Sequence, residues 1–298
     1  MKWQIPAKTF LLGEYAALAG GPALLLTTEP CFAVNLTYAG NTDGVHVLSP
    51  AGVWWAKNAP ENAGLSWHDP YHGRGGMGAS SAQFLGVYLA CQTVQKKELG
   101  HQHLLEAYLS CAWQGQGLPP SGYDVLAQSM QGCVYIHKQQ GICESLPWVF
   151  ADLSFVLLHT GKKLATHEHL QQSRRFLHVE ELASIVCLAR EAFACKDSGR
   201  LIDAVKQYHQ QLAKFNLVSQ HSLQLLQILN KYPQVAAAKG CGALGADVLL
   251  LLVPAEKLSS FCNVLQQDEW PILATSENLY TKSPLIENNP RKTLEISP

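Results

Sequence analysis

Four short stretches of the chain carry residues able to do chemistry. The first, Gly73-Arg74-Gly75-Gly76-Met77-Gly78-Ala79-Ser80-Ser81-Ala82, runs into an apolar helical pattern. Its glycines let the backbone turn tightly and approach a ligand closely. Free N–H groups at a helix start attract anions. Serine hydroxyls there can bond a phosphate, ligate a metal or simply cap the helix. No Lys follows as in Walker A, and the spacing is not a dinucleotide fingerprint. The second, Lys239-Gly240-Cys241-Gly242-Ala243-Leu244-Gly245-Ala246-Asp247, sets three glycines before an apolar run. That pattern asks for close backbone packing, close ligand approach or a tight turn. The third, Ile5 to Tyr15, places Lys8 and Glu14 among apolar and small residues. Unpaired burial of either charge is costly, so the plain alternative is a surface ion pair. The fourth, Pro120-Ser121-Gly122-Tyr123-Asp124-Val125, puts an Asp after a Ser-Gly turn, which by itself suits a helix N-cap.

The chain around these stretches has 298 residues, 47% hydrophobic and 15% charged. That is enough apolar mass for sizeable cores and excludes a mostly disordered chain. With 22 basic and 23 acidic residues, the formal net charge is −1, so no broad electrostatic grip on nucleic acid or an anionic membrane is expected. The nine cysteines form no C-x-x-C pair and sit mostly in apolar runs, such as Cys31, Cys91, Cys187 and Cys262. Free buried thiols in a reducing compartment are the expectation. No apolar run approaches the ~18 residues of a membrane span, and no signal peptide is visible. A cytoplasmic protein, monomeric or homodimeric, follows as the expectation.

Glycine and proline mark the joints between elements. Strands are expected at 2–6, 23–39, 45–55, 132–137, 155–158, 247–253 and 270–275. Helices are expected at 80–93, 101–114, 124–131, 255–267 and almost throughout 166–230. A loop of roughly 20 residues from Lys57 to Gly78 is long enough to be functional. The tail from Ser283 is polar and expected to fray. Mixed strands and helices with a composition change near Pro147 suggest an α+β protein with a boundary near 145–155.

The order of the four stretches resembles the GHMP kinase superfamily, which includes galactokinase and the homoserine, mevalonate and phosphomevalonate kinases. The resemblance covers residues 5–26, 73–90, 114–136 and 239–253. It implies a mixed α/β N-terminal domain at 1–150, with the ATP phosphate loop, and a ferredoxin-like C-terminal domain at 151–298. It implies ATP and Mg²⁺, with Gly75, Gly76, Met77, Gly78, Ala79, Ser80 and Ser81 against the phosphates and Ser80 as metal ligand. Asp124 matches the catalytic aspartate and Lys8 its partner. Glu14, Tyr15, Ser121, Gly122, Lys162, Gly242, Ala243 and Gly245 fall on substrate-binding positions.

Gly13-Glu14-Tyr15-Ala16 and the stretch from Gln116 to Val125 are more similar to phosphomevalonate kinases than to mevalonate kinases. Asp247 and Thr160-Gly161-Lys162 with Thr166 are similar to that group too. A phosphomevalonate kinase-like transfer is therefore implied, with mevalonate kinase or another GHMP activity as the alternative. The sequence departs from the pattern at Ala79, Leu244, Ala246 and Gln116, which motivates a further alternative, a metabolite-binding homologue without catalysis. Candidate cations for a phosphorylated acceptor are Lys8, Arg74, Lys162, Lys163 and Lys239, with His72 and His159 weaker. His101, His103, His167 and His169 read as surface helix residues, and no histidine spacing asks for zinc.

Overall fold

A computed structural model describes residues 1–38, 40–97, 99–115, 117–161 and 179–282. The first sheet is built on one long strand, β2 (Ala23–Thr37). One edge of β2 takes β1 (Lys2–Leu12) antiparallel along its length. Its other edge takes β4 (Gly64–His68) against residues 33–37 and β5 (Cys133–His137) against residues 23–26. The short β3 (Thr42–Asp43) runs parallel to β4, and β6 (Ile142–Leu146) closes the far edge on β5. β1 is longer than the expected 2–6. Residues 5–12 are all buried, and a register irregularity between Ile5 and Ala7 accommodates Pro6.

Helix α1 (Pro50–Asn58) occupies most of the span expected to be a strand at 45–55. The Ser49 hydroxyl accepts the Gly52 N–H at 3.1 Å and Pro50 sits at the first helical position. That start signal outweighs the strand propensity of Val53-Trp54-Trp55. β4 also lies inside the stretch read as a loop from 57 to 78. Helix α2 (Ala79–Val94) is buried nearly all round and lies on β1 and β2. Gly86 permits the contact, since a Cβ there would sit 2.5 Å from Val34 Cγ2. α3 (His101–Ala112) and α4 (Tyr123–Gln128) complete this part.

The second sheet contains β7 (Leu153–His159), β8 (Ala237–Cys241), β9 (Val248–Pro254) and β10 (Ile272–Thr275), all antiparallel in the order β10-β7-β9-β8. Helices α5 (Val179–Cys195), α6 (Ser198–Lys214) and α7 (Gln220–Leu229) join β7 to β8, and α8 (Leu258–Gln267) joins β9 to β10. This βαββαβ succession with its strand order is ferredoxin-like. The long helical stretch breaks at Asp197 and Ser219, whose side chains cap the next helices. Thr166 and the rest of 162–178 lie outside the described residues, as does the tail from 283. One apolar core runs through both sheets, from Ile5, Val34 and Phe84 to Phe155, Leu250 and Leu252.

No described helix is long and apolar enough to cross a membrane. All nine cysteines are free, but Cys187 and Cys195 are exposed on α5, against the expectation of burial for Cys187. His101 is buried at the start of α3 rather than on the surface, because the helix opens against the core with that face inward. Burial pushes its imidazole down to about 4. Between about pH 6.5 and 4 the unfolded chain therefore binds a proton there that the folded chain refuses. Stability should fall as pH drops through that window, and His101→Gln should flatten the fall. Urea midpoints at pH 7, 5.5 and 4.5 check this, and equal slopes for the two proteins would contradict it.

Candidate active site

Lys8 lies in the middle of buried β1, and its backbone N–H donates to the Met77 carbonyl at 3.0 Å. The strand and the glycine-rich loop are thus stitched together. The Lys8 ammonium pairs with Asp124 Oδ1 at 2.7 Å, 4.8 Å from the Phe10 ring centroid. Lys8 is only 6% exposed, whereas the Asp124 side chain keeps 37% of its surface open. The couple therefore has a dry side and an accessible side. Asp124 sits in the first turn of α4, entered through Gly122 at φ 76°. At φ 76° an L side chain is strained, and a Cβ at Gly122 would also push on Leu105 Cδ1 at 2.2 Å, so the turn favours glycine.

The loop lies directly on this couple. Gly78 has φ 80°, and a Cβ there would meet Lys8 Cε at 2.9 Å. On its other flank a Cβ at Gly76 would meet Val248 Cγ2 at 2.4 Å, and one at Gly75 would meet Asp247 Oδ2 at 2.8 Å. The loop is therefore wedged between β1 and the start of β9. Gly78 opens α2 without a side-chain cap, so amide donors of the first turn are left for an anion. Within that turn Ser80 is exposed, while the Ser81 hydroxyl is committed to the Gly78 carbonyl at 3.0 Å. The Met77 side chain is buried, so that residue can offer a ligand only its backbone. Gln128, one turn beyond Asp124 on α4, donates to the carbonyls of Pro6 (2.9 Å) and Gly78 (3.1 Å). It ties loop, strand and helix together. Its spacing from Asp124 was the available signal, but a lone Gln carries no chemical signature in sequence.

Glu14 does not pair with Lys8. It pairs with Lys239 at 2.9 Å, with side chains 4% and 0% exposed, across 225 positions of chain. Lys239 is thus a correction to the list of cations free for an acceptor. Its burial works against its charge, yet the Cys241 sulfur at 3.6 Å and the Glu14 carboxylate together hold the ammonium above the ordinary lysine range. Tyr15, the next residue, accepts the Leu244 N–H on its hydroxyl at 3.0 Å, and burial pushes that phenol up to about 12. The glycine turn is compact. A Cβ at Gly240 would lie 2.6 Å from Gly245 Cα, while Gly242, at φ 78°, and its surroundings leave open space. Leu244 itself adopts φ 54°. Ser222 of α7 supports the turn by donating to the Gly245 carbonyl at 2.8 Å. The Thr160 hydroxyl does the same at the Ala246 carbonyl, and His221 Nε2 bonds the Thr160 carbonyl at 3.0 Å.

Ala243 lies in that turn, and Ser121 accepts the Tyr123 N–H on its hydroxyl at 3.3 Å. His72 and Arg74 are exposed on the loop. His159 is buried near Arg74 and Asp247, and burial, then the Arg74 charge, lowers its imidazole. Lys162, Lys163 and Gln116 fall outside the described residues. Among the described residues no group of three or more His, Cys, Asp or Glu is placed to hold a metal ion. Removing one member of the Glu14–Lys239 pair leaves the other charge buried and alone. Lys239→Met should therefore cost about 3–5 kcal/mol of stability, and the double variant with Glu14→Gln should recover part of it. Chemical denaturation of the four proteins of this cycle gives the coupling, and additive losses would contradict it.

The fold has solved counterparts. The Methanococcus jannaschii mevalonate kinase superposes with a TM-score of 0.71 at 14% identity, covering 95% of this chain and 98% of that one. Streptococcus pneumoniae phosphomevalonate kinase, in complex with phosphomevalonate and AMPPNP, gives 0.74 at 14% identity over 92% and 99%. Lactococcus lactis galactokinase, complexed with galactose, gives 0.72 at 12% identity over 95% and 93%. No family model matches the sequence, and no curated protein matches it. With both sheets and nearly the whole chain superposed, the protein has the two-lobed fold of the GHMP kinases.

Proposed function

We propose that the chain transfers the γ-phosphoryl group of ATP to a small acceptor of the mevalonate pathway, in the manner of a phosphomevalonate kinase, with a mevalonate kinase as the alternative. The observation that carries this reading is the 2.7 Å Lys8–Asp124 couple lying directly beneath Gly78. Phosphoryl transfer needs in-line positioning and charge neutralisation more than covalent chemistry. Backbone amides from Gly76 to Ser81 supply donors for phosphate oxygens without net charge. The Lys8 ammonium can bond the acceptor oxygen or the γ-phosphate. If the acceptor is an alcohol, the Asp124 carboxylate can accept its proton. If it is a phosphate, already ionised near neutral pH, Asp124 keeps Lys8 charged and oriented. Two solved counterparts bear on the acceptor by name, the phosphomevalonate complex and the mevalonate kinase. The similarity of Gly13 to Ala16 and of Gln116 to Val125 to phosphomevalonate kinases favours the first.

The donor set suits magnesium rather than a softer metal. The exposed Ser80 hydroxyl in the first turn of α2 and the Asp247 carboxylate against Gly75 are hard oxygen groups beside the loop. Magnesium is commonly held by one or two such groups with phosphate oxygens and water. When bound, it would neutralise charge on the β- and γ-phosphates. The free cysteines are consistent with a reducing, cytoplasmic setting.

ADP release with R-5-phosphomevalonate, R-mevalonate and galactose as acceptors tests the proposal. Turnover is expected with one of the two acids. Asp124→Asn should lower kcat by about 10²-fold or more, the scale of a lost acid–base or electrostatic group. Absence of turnover with all acceptors, or wild-type kcat in Asp124→Asn, would overturn the reading.

A further inference from the structure

Helices α1, α2 and α3 enclose a cavity of about 380 Å³ lined by Trp54, Tyr88, Gln92, Lys97, His103 and Ala107. It lies at the far end of α2 from the glycine-rich loop. Ser80 is in the first turn of that helix and Gln92 in its last, so the rise per residue sets them about 18 Å apart. Lys8, Asp124 and the loop contribute nothing to its wall. The frame around it is tied together. The Gln95 amide donates to the Asn58 carbonyl at 3.1 Å, fastening α2 to the end of α1. The Lys97 N–H donates to the Gln92 carbonyl at 3.0 Å, which turns the chain at the end of α2 and leaves Lys97 on the rim.

The inner wall is aromatic. The Trp54 and Tyr88 rings stand 5.5 Å apart at 44°, with Phe84 packed against both. Two polar atoms on these rings are left over. The Trp54 indole N–H and the Tyr88 hydroxyl are buried without a hydrogen-bond partner. Gln92 lies near the hydroxyl and the Cys91 thiol near the indole, but neither completes a bond. A buried donor left unpaired is costly, and an acceptor atom on a ligand recovers that cost. The rim is basic. Lys97 and His103 are both exposed there, and none of the described residues lining the cavity is acidic.

These features select one ligand chemistry. A flat ring fits against Trp54 and Tyr88. A polar substituent at its inner end meets the orphaned indole N–H and hydroxyl, and a negative charge at its outer end meets Lys97. The volume lies within the range of small-molecule sites, about 300–1,000 Å³. We propose that this cavity binds a small aromatic acid, with its ring between α1 and α2 and its carboxylate at Lys97 and His103, as a site separate from Lys8 and Asp124.

The test is titration calorimetry of the full chain with 6-hydroxy-2-naphthoate, 2-naphthoate and 2-naphthol. The hydroxy acid should bind wild type, and saturating AMPPNP should leave its affinity within about twofold. Loss of the carboxylate in 2-naphthol, or Lys97→Gln, should each weaken binding by about fivefold or more. Trp54→Phe and Tyr88→Phe keep the rings and remove the polar atoms. They should weaken the hydroxy acid by about fivefold and leave 2-naphthoate within about twofold. Lys97 is exposed, so its variant tests the site even where an aromatic variant fails to fold. No saturable binding to wild type, affinity unchanged in folded Lys97→Gln, 2-naphthol binding as tightly as the acids, or displacement by AMPPNP would overturn the proposal. Binding is read without turnover, so a chain that releases no ADP loses the kinase reading and keeps this site.

Discussion

An ammonium buried in the middle of a β-strand is tolerable only with a counter-charge at contact distance, and the site is organised around that constraint. Lys8 satisfies it through Asp124, from an element more than a hundred residues away. The requirement fixes α4 against β1 and therefore fixes the Ser-Gly turn that opens α4. It also explains why the loop above is made of glycine. The Lys8 stem fills the space a side chain at Gly78 would need. The same residue thus sets the electrostatics and the steric floor of the glycine-rich loop. Gln128 makes the arrangement rigid by bonding strand and loop from one amide.

A second charged couple repeats the logic at the seam between the sheets. Glu14 and Lys239 are drier than Lys8 and Asp124, and neither retains an open side. The difference in exposure separates their roles. A couple with a half-open carboxylate can meet a substrate; one sealed on both sides can only hold elements in place. Tyr15 adds a hydroxyl to the same seam through the Leu244 amide, and this bond accompanies a leucine in a backbone region that favours glycine.

Much of this was legible in the residues. The four stretches were visible as glycine, serine and charge patterns, and three of them converge on Lys8 directly. α2 was legible because its apolar run is long and its start is marked by Gly78 and two serines. The resemblance paired Lys8 with Asp124, as the structure does; what spacing alone could not supply was the partner of Glu14. Lys8 and Glu14 are six positions apart and looked like partners, yet each found its counter-charge in a remote element. Glu14 lies beyond the end of β1, past Gly13 at φ 104°, so strand spacing does not set it beside Lys8. α1 was missed because Val53-Trp54-Trp55 reads as strand, although Ser49-Pro50 announced a helix. His101 was placed outside because a polar residue at a helix start ordinarily faces water, and burial is decided by the elements packed around it.

The sealed Glu14–Lys239 couple has a consequence for how such a chain can be inherited. One charge is encoded near the beginning and the other near the end, and each is harmful without its mate. Exchange of one half with a chain that lacks both charges would leave one orphaned ion in the interior of each product, so the two positions are expected to be inherited together.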